Sequence, residues 1–322
     1  MWLFKKTPSI DFMRHRRLAA VVSVVLLGLA IAVVAVRGLN FGIDFTGGTV
    51  VEVGFPEAVD LTQVRQTLDD GGYDGAIVQH FGTARDVMIR LAPQEDEEEA
   101  EELSNRVLQT LEAEFPDVEL RRVEFVGPQI GEELTEQGAL AMLGALGCIL
   151  LYVAFRFEYR FAAGSVAALV HDMVLVFGIL SLFQISFDLS VLAAMLAVVG
   201  YSLNDTIVVF DRIRENFVRM RKGTTEDVMN ASINQTLSRT LVTSFTTLLV
   251  VLSLYFLGGE VISGFAFTLF IGVLVGTYSS IFVASASALA MGVTKYDLQP
   301  PAKEGVDEEG EEGGADQTGA RP

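Results

Sequence analysis

Residues Gly200 to Asn216 read GYSLNDTIVVFDRIREN, and this stretch decides the architecture because Asn204 and Asp205 sit inside an apolar run of membrane-spanning length. An aspartate at the centre of a transmembrane helix costs about 2.5–3.5 kcal/mol on insertion scales, so one that persists there has a use. Two further apolar runs carry polar groups: His171-Asp172 lies near the middle of one, and Arg239 opens another. Three membrane segments thus hold side chains that lipid alone would reject.

The composition agrees, since 322 residues with 51% hydrophobic and only 20% charged content describe an integral membrane protein. The net charge of −18 belongs to the parts outside the apolar runs. Of 41 acids, 23 lie between Arg37 and Gln137 against 7 basic residues, and 8 more lie from Met291 onward. So acidic a surface does not look like that of a nucleic-acid binder and reads as a solvated face. Cys148 is the sole cysteine and sits in an apolar run, so no intramolecular disulfide forms.

Working outward, a basic cytoplasmic N-terminus (1–17, with Lys5, Lys6, Arg14, Arg16 and Arg17) precedes a first crossing at 18–36. The run is too long for a signal peptide and no small-residue cleavage site follows it. By the positive-inside rule the next segment, 37–137, lies on the far side of the membrane. Further crossings follow at 138–155, 161–183, 189–210, 240–257 and 263–290, with a cytoplasmic loop at 211–239 that holds six basic residues against four acids. Both termini are therefore cytoplasmic, and the Gly- and Glu-rich tail, 291–322, has almost nothing apolar to bury and is expected to be disordered. The chain is expected in a membrane, surrounded by lipid.

Segment 37–137 opens with a turn punctuated by Gly42, Gly47 and Gly48. Strand and helix periodicities then alternate: a strand at Thr49 to Phe55, a helix at Asp60 to Asp70, strands at Ala76 to Phe81 and Asp86 to Leu91, a helix at Glu95 to Phe115, and a strand at Val118 to Val126. The order β-α-β-β-α-β predicts a ferredoxin-like α+β domain between the first and second of six transmembrane helices. The acidic run EDEEEAEE within it reads as a solvated first helical turn rather than a metal site.

Helical spacing marks the faces that matter. In the fourth crossing Tyr201, Ser202, Asp205 and Arg212 share one face, while Ala193, Ala197 and Gly200 form a small-residue stripe. The fifth has a hydroxyl-rich side made by Thr236, Arg239, Thr240, Thr243, Thr246 and Thr247, the sixth a packing seam of Gly272, Gly276 and Ser280, and the second a small stripe of Gly138, Ala141, Ala145 and Cys148. Asp205 and Arg239 read either as a switchable pair or as a structural ion pair holding helices in register. His171-Asp172 reads as a secondary polar network, either functional or merely locking the third helix to its neighbours. There is no GxxxxGK[ST] phosphate loop, and the three histidines fall at three different depths or sides, so neither nucleotide chemistry, a hydrolase constellation nor a cofactor is expected.

Five motifs in order carry a resemblance: FGIDFTGG (Phe41–Gly48, containing Asp44), VGPQIGEEL (Val126–Leu134), His171-Asp172, the Gly200–Asn216 stretch, and NQTLSRTLVTS (Asn234–Ser244). Together they resemble the SecF family, the smaller membrane subunits of the bacterial SecD-SecF export complex, itself similar to resistance-nodulation-division exporters. The resemblance implies SecD as complex partner, the SecYEG channel and an unfolded secretory polypeptide as working partners, and YajC and YidC as further candidates. It also implies that the proton motive force drives export after the ATP-driven stage. Joined to the residues, this gives Asp205, Arg239 and Asn204 as the proton-coupling group, with protonation of Asp205 switching an ion pair to Arg239. The alternatives are a proton-coupled exporter of small molecules or lipids, opposed by the single small external domain, and a non-transporting scaffold, opposed by the intramembrane acid.

Overall fold

The computed structural model describes residues 8–94, 96–220 and 222–293; Lys5, Lys6 and nearly all of the acidic tail lie outside them. The first long helix, α1 (Arg16–Arg37), ends where Gly38 takes φ 68°, a conformation suited to glycine. The chain then makes a two-residue strand β1 (Asn40–Phe41) and a single-turn helix α2 (Ile43–Thr46), and leaves for the α/β domain through Gly47 and Gly48, both at positive φ.

The domain runs β2 (Gly48–Gly54), α3 (Leu61–Asp70), β3 (Ile77–Phe81), β4 (Thr83–Leu91), α4 (Glu97–Glu114), β5 (Glu119–Val126). Its sheet is antiparallel in the order β3-β4-β2-β5. The sheet's apolar side chains Val51, Val53, Val87 and Ile89 meet Val64 and Leu68 of α3 and Val107 and Leu111 of α4, all fully buried. Both helices start on an aspartate cap: Asp60 accepts from the Thr62 N–H and Asp96 from the Glu99 N–H. The Thr62 backbone bond holds the Asp60 carboxyl below the usual carboxylate range, so this cap's contribution is present at neutral pH and is lost as pH falls through the lowered value.

Because this core draws on no residue of the long helices, residues 48–126 expressed alone should fold. The expected outcome is mixed α/β circular dichroism with one cooperative melt. A featureless spectrum would show that the sheet needs the helix bundle beneath it.

The chain returns through Pro128, at the first position of α5 (Pro128–Arg156), where its missing N–H costs nothing. Then come α6 (Tyr159–Phe183), a two-residue strand β6 (Ser186–Phe187), α7 (Leu189–Arg219), α8 (Thr225–Leu257) and α9 (Ser263–Ser279). A π-helical turn, Ser280–Ala284, joins α9 to α10 (Ser285–Ala290). Among the described residues six helices are long and apolar enough to cross a membrane, the last being the composite Ser263–Ala290. Three of them form the centre: α6, α7 and the composite last span bury 50%, 50% and 44% of their most apolar windows, against 11% for α1 and α5.

Two connections were not foreseen. The connection after α6, expected as a plain loop, pairs in parallel with β1 through Asn40–Ser186 and Phe41–Phe187. The segment before α1 is strapped to the start of α8: the Asn234 side chain bonds both N–H and C=O of Ile10, at 3.0 and 2.7 Å, and Asn230 accepts from Met13 N at 2.9 Å. Phe12 and Met13 then sit in the bundle core beside Phe217 and Met229.

The small-residue stripes divide. On the sixth span the expected seam packs: a Cβ on Gly272 would fall 2.0 Å from Val198, and one on Gly276 3.1 Å from Ser202. Of the α5 stripe only Gly138 is buried, against Leu192 and Phe45, while Ala141 and Cys148 are exposed. On α7 the stripe Ala193, Ala197 and Gly200 is exposed along its whole length.

Candidate functional site

Two buried carboxylates lie in the interior of the bundle, one on α6 and one on α7. Asp172 is in the middle of α6, and Asp205 lies on α7 one turn beyond Ser202. Residues three apart lie on one helical face, so Ser202 and Asp205 both turn inward. The Ser202 hydroxyl donates to Asp172 Oδ2, which also accepts from Ser279 Oγ at 2.7 Å. Asp205 Oδ1 accepts from Thr240 Oγ1 of α8 at 2.8 Å, and its Oδ2 accepts from Ser280 Oγ at 3.0 Å. The consecutive residues Ser279 and Ser280 thus hold one carboxylate each.

The π-turn begins at Ser280, and Ser285 Oγ reaches the Ser280 carbonyl five residues back at 3.3 Å. Single π-turns inside helices occur frequently at functional sites, since the extra residue re-aims the side chains around it. Close approach of α9 to α7 is what brings both serines within reach, and that approach needs the glycines at 272 and 276.

On the α1 side, His171 Nδ1 pairs with Asp172 Oδ1 at 3.0 Å. Its Nε2 is buried without a hydrogen-bond partner among the described residues. The imidazole lies beside the Tyr278 ring, centroids 6.0 Å apart, and Tyr278 Oη in turn meets Ser23 Oγ and the Ala19 carbonyl. Further along, Tyr201 Oη donates to Ser244 Oγ at 3.1 Å, and Ser244 is bonded to Thr277 Oγ1 at 2.7 Å. The polar interior therefore touches α1, α6, α7, α8 and the composite last span, and its bonds run through hydroxyls.

Among the described residues no ion pair joins Asp205 and Arg239, and Arg239 is exposed, near enough for its charge to act on the acid without touching it. Helical phase explains it, since each residue turns about 100° from the last and Thr240, the next residue, is the one that faces Asp205. Asn204 precedes Asp205 by one position and is likewise exposed. Of the hydroxyl-rich side of α8 only Thr240 meets the acid; Thr243, Thr246 and Thr247 bond carbonyls of their own helix. Ser280, expected only to pack, is a ligand of Asp205, and Ser279 was not singled out at all. The signal for it was the Ser-Ser pair continuing the Gly272, Gly276 seam.

Gly42, Asp44, Gly47 and Gly48 gather at the end of the bundle nearest the α/β domain. Asp44 Oδ2 accepts from Leu189 N, the first residue of α7, at 2.9 Å, and Gly42 N donates to the Phe187 carbonyl at 2.8 Å. A Cβ on Gly48 would lie 2.7 Å from the Leu91 carbonyl, and one on Gly131 2.8 Å from Gly47 N, so the turn is wedged between the sheet and α5.

Comparison with known proteins follows the same two regions. A family model described as "Protein export membrane protein SecD/SecF, C-terminal" matches residues 106–294, and one described as "SecD/SecF GG Motif" matches residues 32–55. The protein translocase subunit SecF of Vibrio alginolyticus is 52% identical over 311 residues, 96% of this chain and 98% of that protein. That of Escherichia coli O157:H7 is 47% identical over 301 residues, 92% of this chain and 93% of that protein. The crystal structure of SecDF from Thermus thermophilus superposes with a TM-score of 0.80 at 42% identity, covering 90% of this chain but 39% of the longer SecDF chain. From motif, fold and relatives matched over nearly their whole length, the chain belongs to the SecF branch of the SecD/SecF family of protein-export membrane proteins, subunits of the protein translocase.

Proposed function

We propose that the chain couples the proton motive force to completion of polypeptide translocation across the bacterial inner membrane, with Asp205 as the group that takes up and releases the proton. The observation that supports this is the pair of buried carboxylates held by hydroxyls. A serine or threonine hydroxyl donates to a carboxylate and, after rotating, accepts from a carboxylic acid, so Asp205 can change charge while keeping its partners Thr240 and Ser280. A fixed cation would favour only one of the two states. Each proton crossing the membrane supplies about 2.3 kcal/mol per 100 mV, and a few per cycle suffice to bias a domain movement.

In this reading the α/β domain, whose strand order is that of a ferredoxin-like split βαβ unit, faces the periplasm and both termini face the cytoplasm. The exposed stripe Ala193, Ala197, Gly200 and Asn204 on α7, together with exposed Arg239, is the surface given to SecD, so Arg239 acts at the subunit boundary. SecYEG and the emerging polypeptide complete the machine; His171 and Asp172 form a second polar branch.

The test is export of a secretory precursor into vesicles carrying the SecD complex, with and without an imposed proton gradient. Gradient-dependent export that a protonophore abolishes is expected; export indifferent to the gradient would remove the proposal. Orientation is checked separately with single cysteines at Glu112 and Lys222 in a chain lacking Cys148. Only the first should react with an impermeant thiol reagent added to intact cells, and labelling at the second would overturn the assigned sidedness.

A further inference from the structure

We propose that Asp44 is a positioning residue that makes the external domain follow α7, by fixing the outer end of the helix that carries Asp205 to the glycine turn at the domain's root. The inference rests on Asp205 being the proton carrier. Two aspartates hold the first turn of α7. Asp188, its own N-cap, accepts from Val191 N at 2.7 Å; Asp44, from a turn 145 residues earlier, accepts from Leu189 N at 2.9 Å. A carboxylate is favoured at a helix N-terminus by the helix dipole.

The turn that supplies Asp44 is fastened on both sides. Toward the bundle, β1 pairs with β6, Gly42 N bonds the Phe187 carbonyl, and the Phe45 ring stacks on Phe187 at 5.7 Å. Toward the domain, Gly48 runs straight into β2, and Arg90 of β4 donates to Asn40 Oδ1 and to the Phe41 carbonyl. Asp205 lies sixteen residues along α7 from Leu189, about 24 Å at 1.5 Å per residue. A helix transmits a shift or rotation over that length, and Asp44 is its hydrogen-bonded contact to the turn at the outer end, beside the apolar packing of Phe45 on the cluster that holds Val191 and Leu192.

The experiment measures a spin-label distance between cysteines at Glu112, on the domain, and Val261, between α8 and α9, in the Cys148-free chain reconstituted with SecD. It is recorded with and without an imposed proton gradient. The unmodified chain should show a gradient-dependent shift in distance, and Asp205→Asn should abolish it. Asp44→Ala should also abolish it with Asp205 intact, and Asp44→Asn, which keeps an acceptor, should retain it.

Leu189→Pro tests the same bond from the donor side. Proline is tolerated at the first helical position and lacks the N–H, and Asp188 before it already has the extended backbone (φ −110°, ψ −176°) that proline requires. It should lose the shift while keeping the fold, which decides the matter even where Asp44→Ala fails to assemble. Wild-type shifts in Asp44→Ala and Leu189→Pro would overturn the role of Asp44 alone. A wild-type shift in Asp205→Asn would overturn the proton site instead.

Discussion

Asp205→Asn is expected to abolish the gradient-dependent part of export while the complex with SecD still assembles. The amide matches the carboxylate in shape and can keep hydrogen bonds to Thr240 and Ser280, so what it removes is the proton. Thr240→Ala and Ser280→Ala each delete one of two hydroxyls and should reduce the stimulation without abolishing it. Arg239→Lys should be mild and Arg239→Met more severe, because a planar guanidinium is lost in both and the charge only in the second. A purely structural acid would give the inverse pattern. Removing a partner from a buried polar group costs about 1–3 kcal/mol, so the variants would then fail at assembly and the assembled fraction would respond normally. Precursor export with and without the gradient, beside co-purification of SecD, separates the two. Normal gradient-dependent export by Asp205→Asn removes the proton site and leaves the family assignment standing.

The second large effect is expected from Gly272→Leu. No side chain fits there, since even a Cβ would lie 2.0 Å from Val198 Cγ2 and 2.9 Å from its Cβ. Overpacking of this kind costs about 1–3 kcal/mol. The damage is also specific, because the last span must stand close to α7 for Ser279 and Ser280 to reach Asp172 and Asp205. The purified complex should melt at a lower temperature and lose gradient stimulation together. Gly144→Leu on α5, where a Cβ meets nothing within 4 Å, is the matched control and should change neither. Equal melting temperatures for the two variants would show that α9 does not depend on this approach.

What the sequence by itself determined is what has a local period or length. Apolar runs of membrane-spanning length marked the six long helices, and alternation followed by helical spacing laid out β2 to β5 with α3 and α4 between them. The intramembrane acids were equally legible, because Asp172 and Asp205 are conspicuous against their apolar neighbours. Their partners were not. Charge suggested Arg239 for Asp205, but adjacent helical residues diverge by about 100°, and which of Arg239 and Thr240 faces inward depends on how α8 rolls against α7. The packing of Gly272 and Gly276 on α7 was foreseen as a seam, yet the hydroxyls it delivers come from a π-turn that breaks the 3.6-residue period used to read the helix. The bonds of Asp44 to Leu189, Asn234 to Ile10, and β1 to β6 join residues more than a hundred positions apart. No local pattern encodes such pairings, so only the tertiary structure decided that the glycine turn caps the helix carrying Asp205.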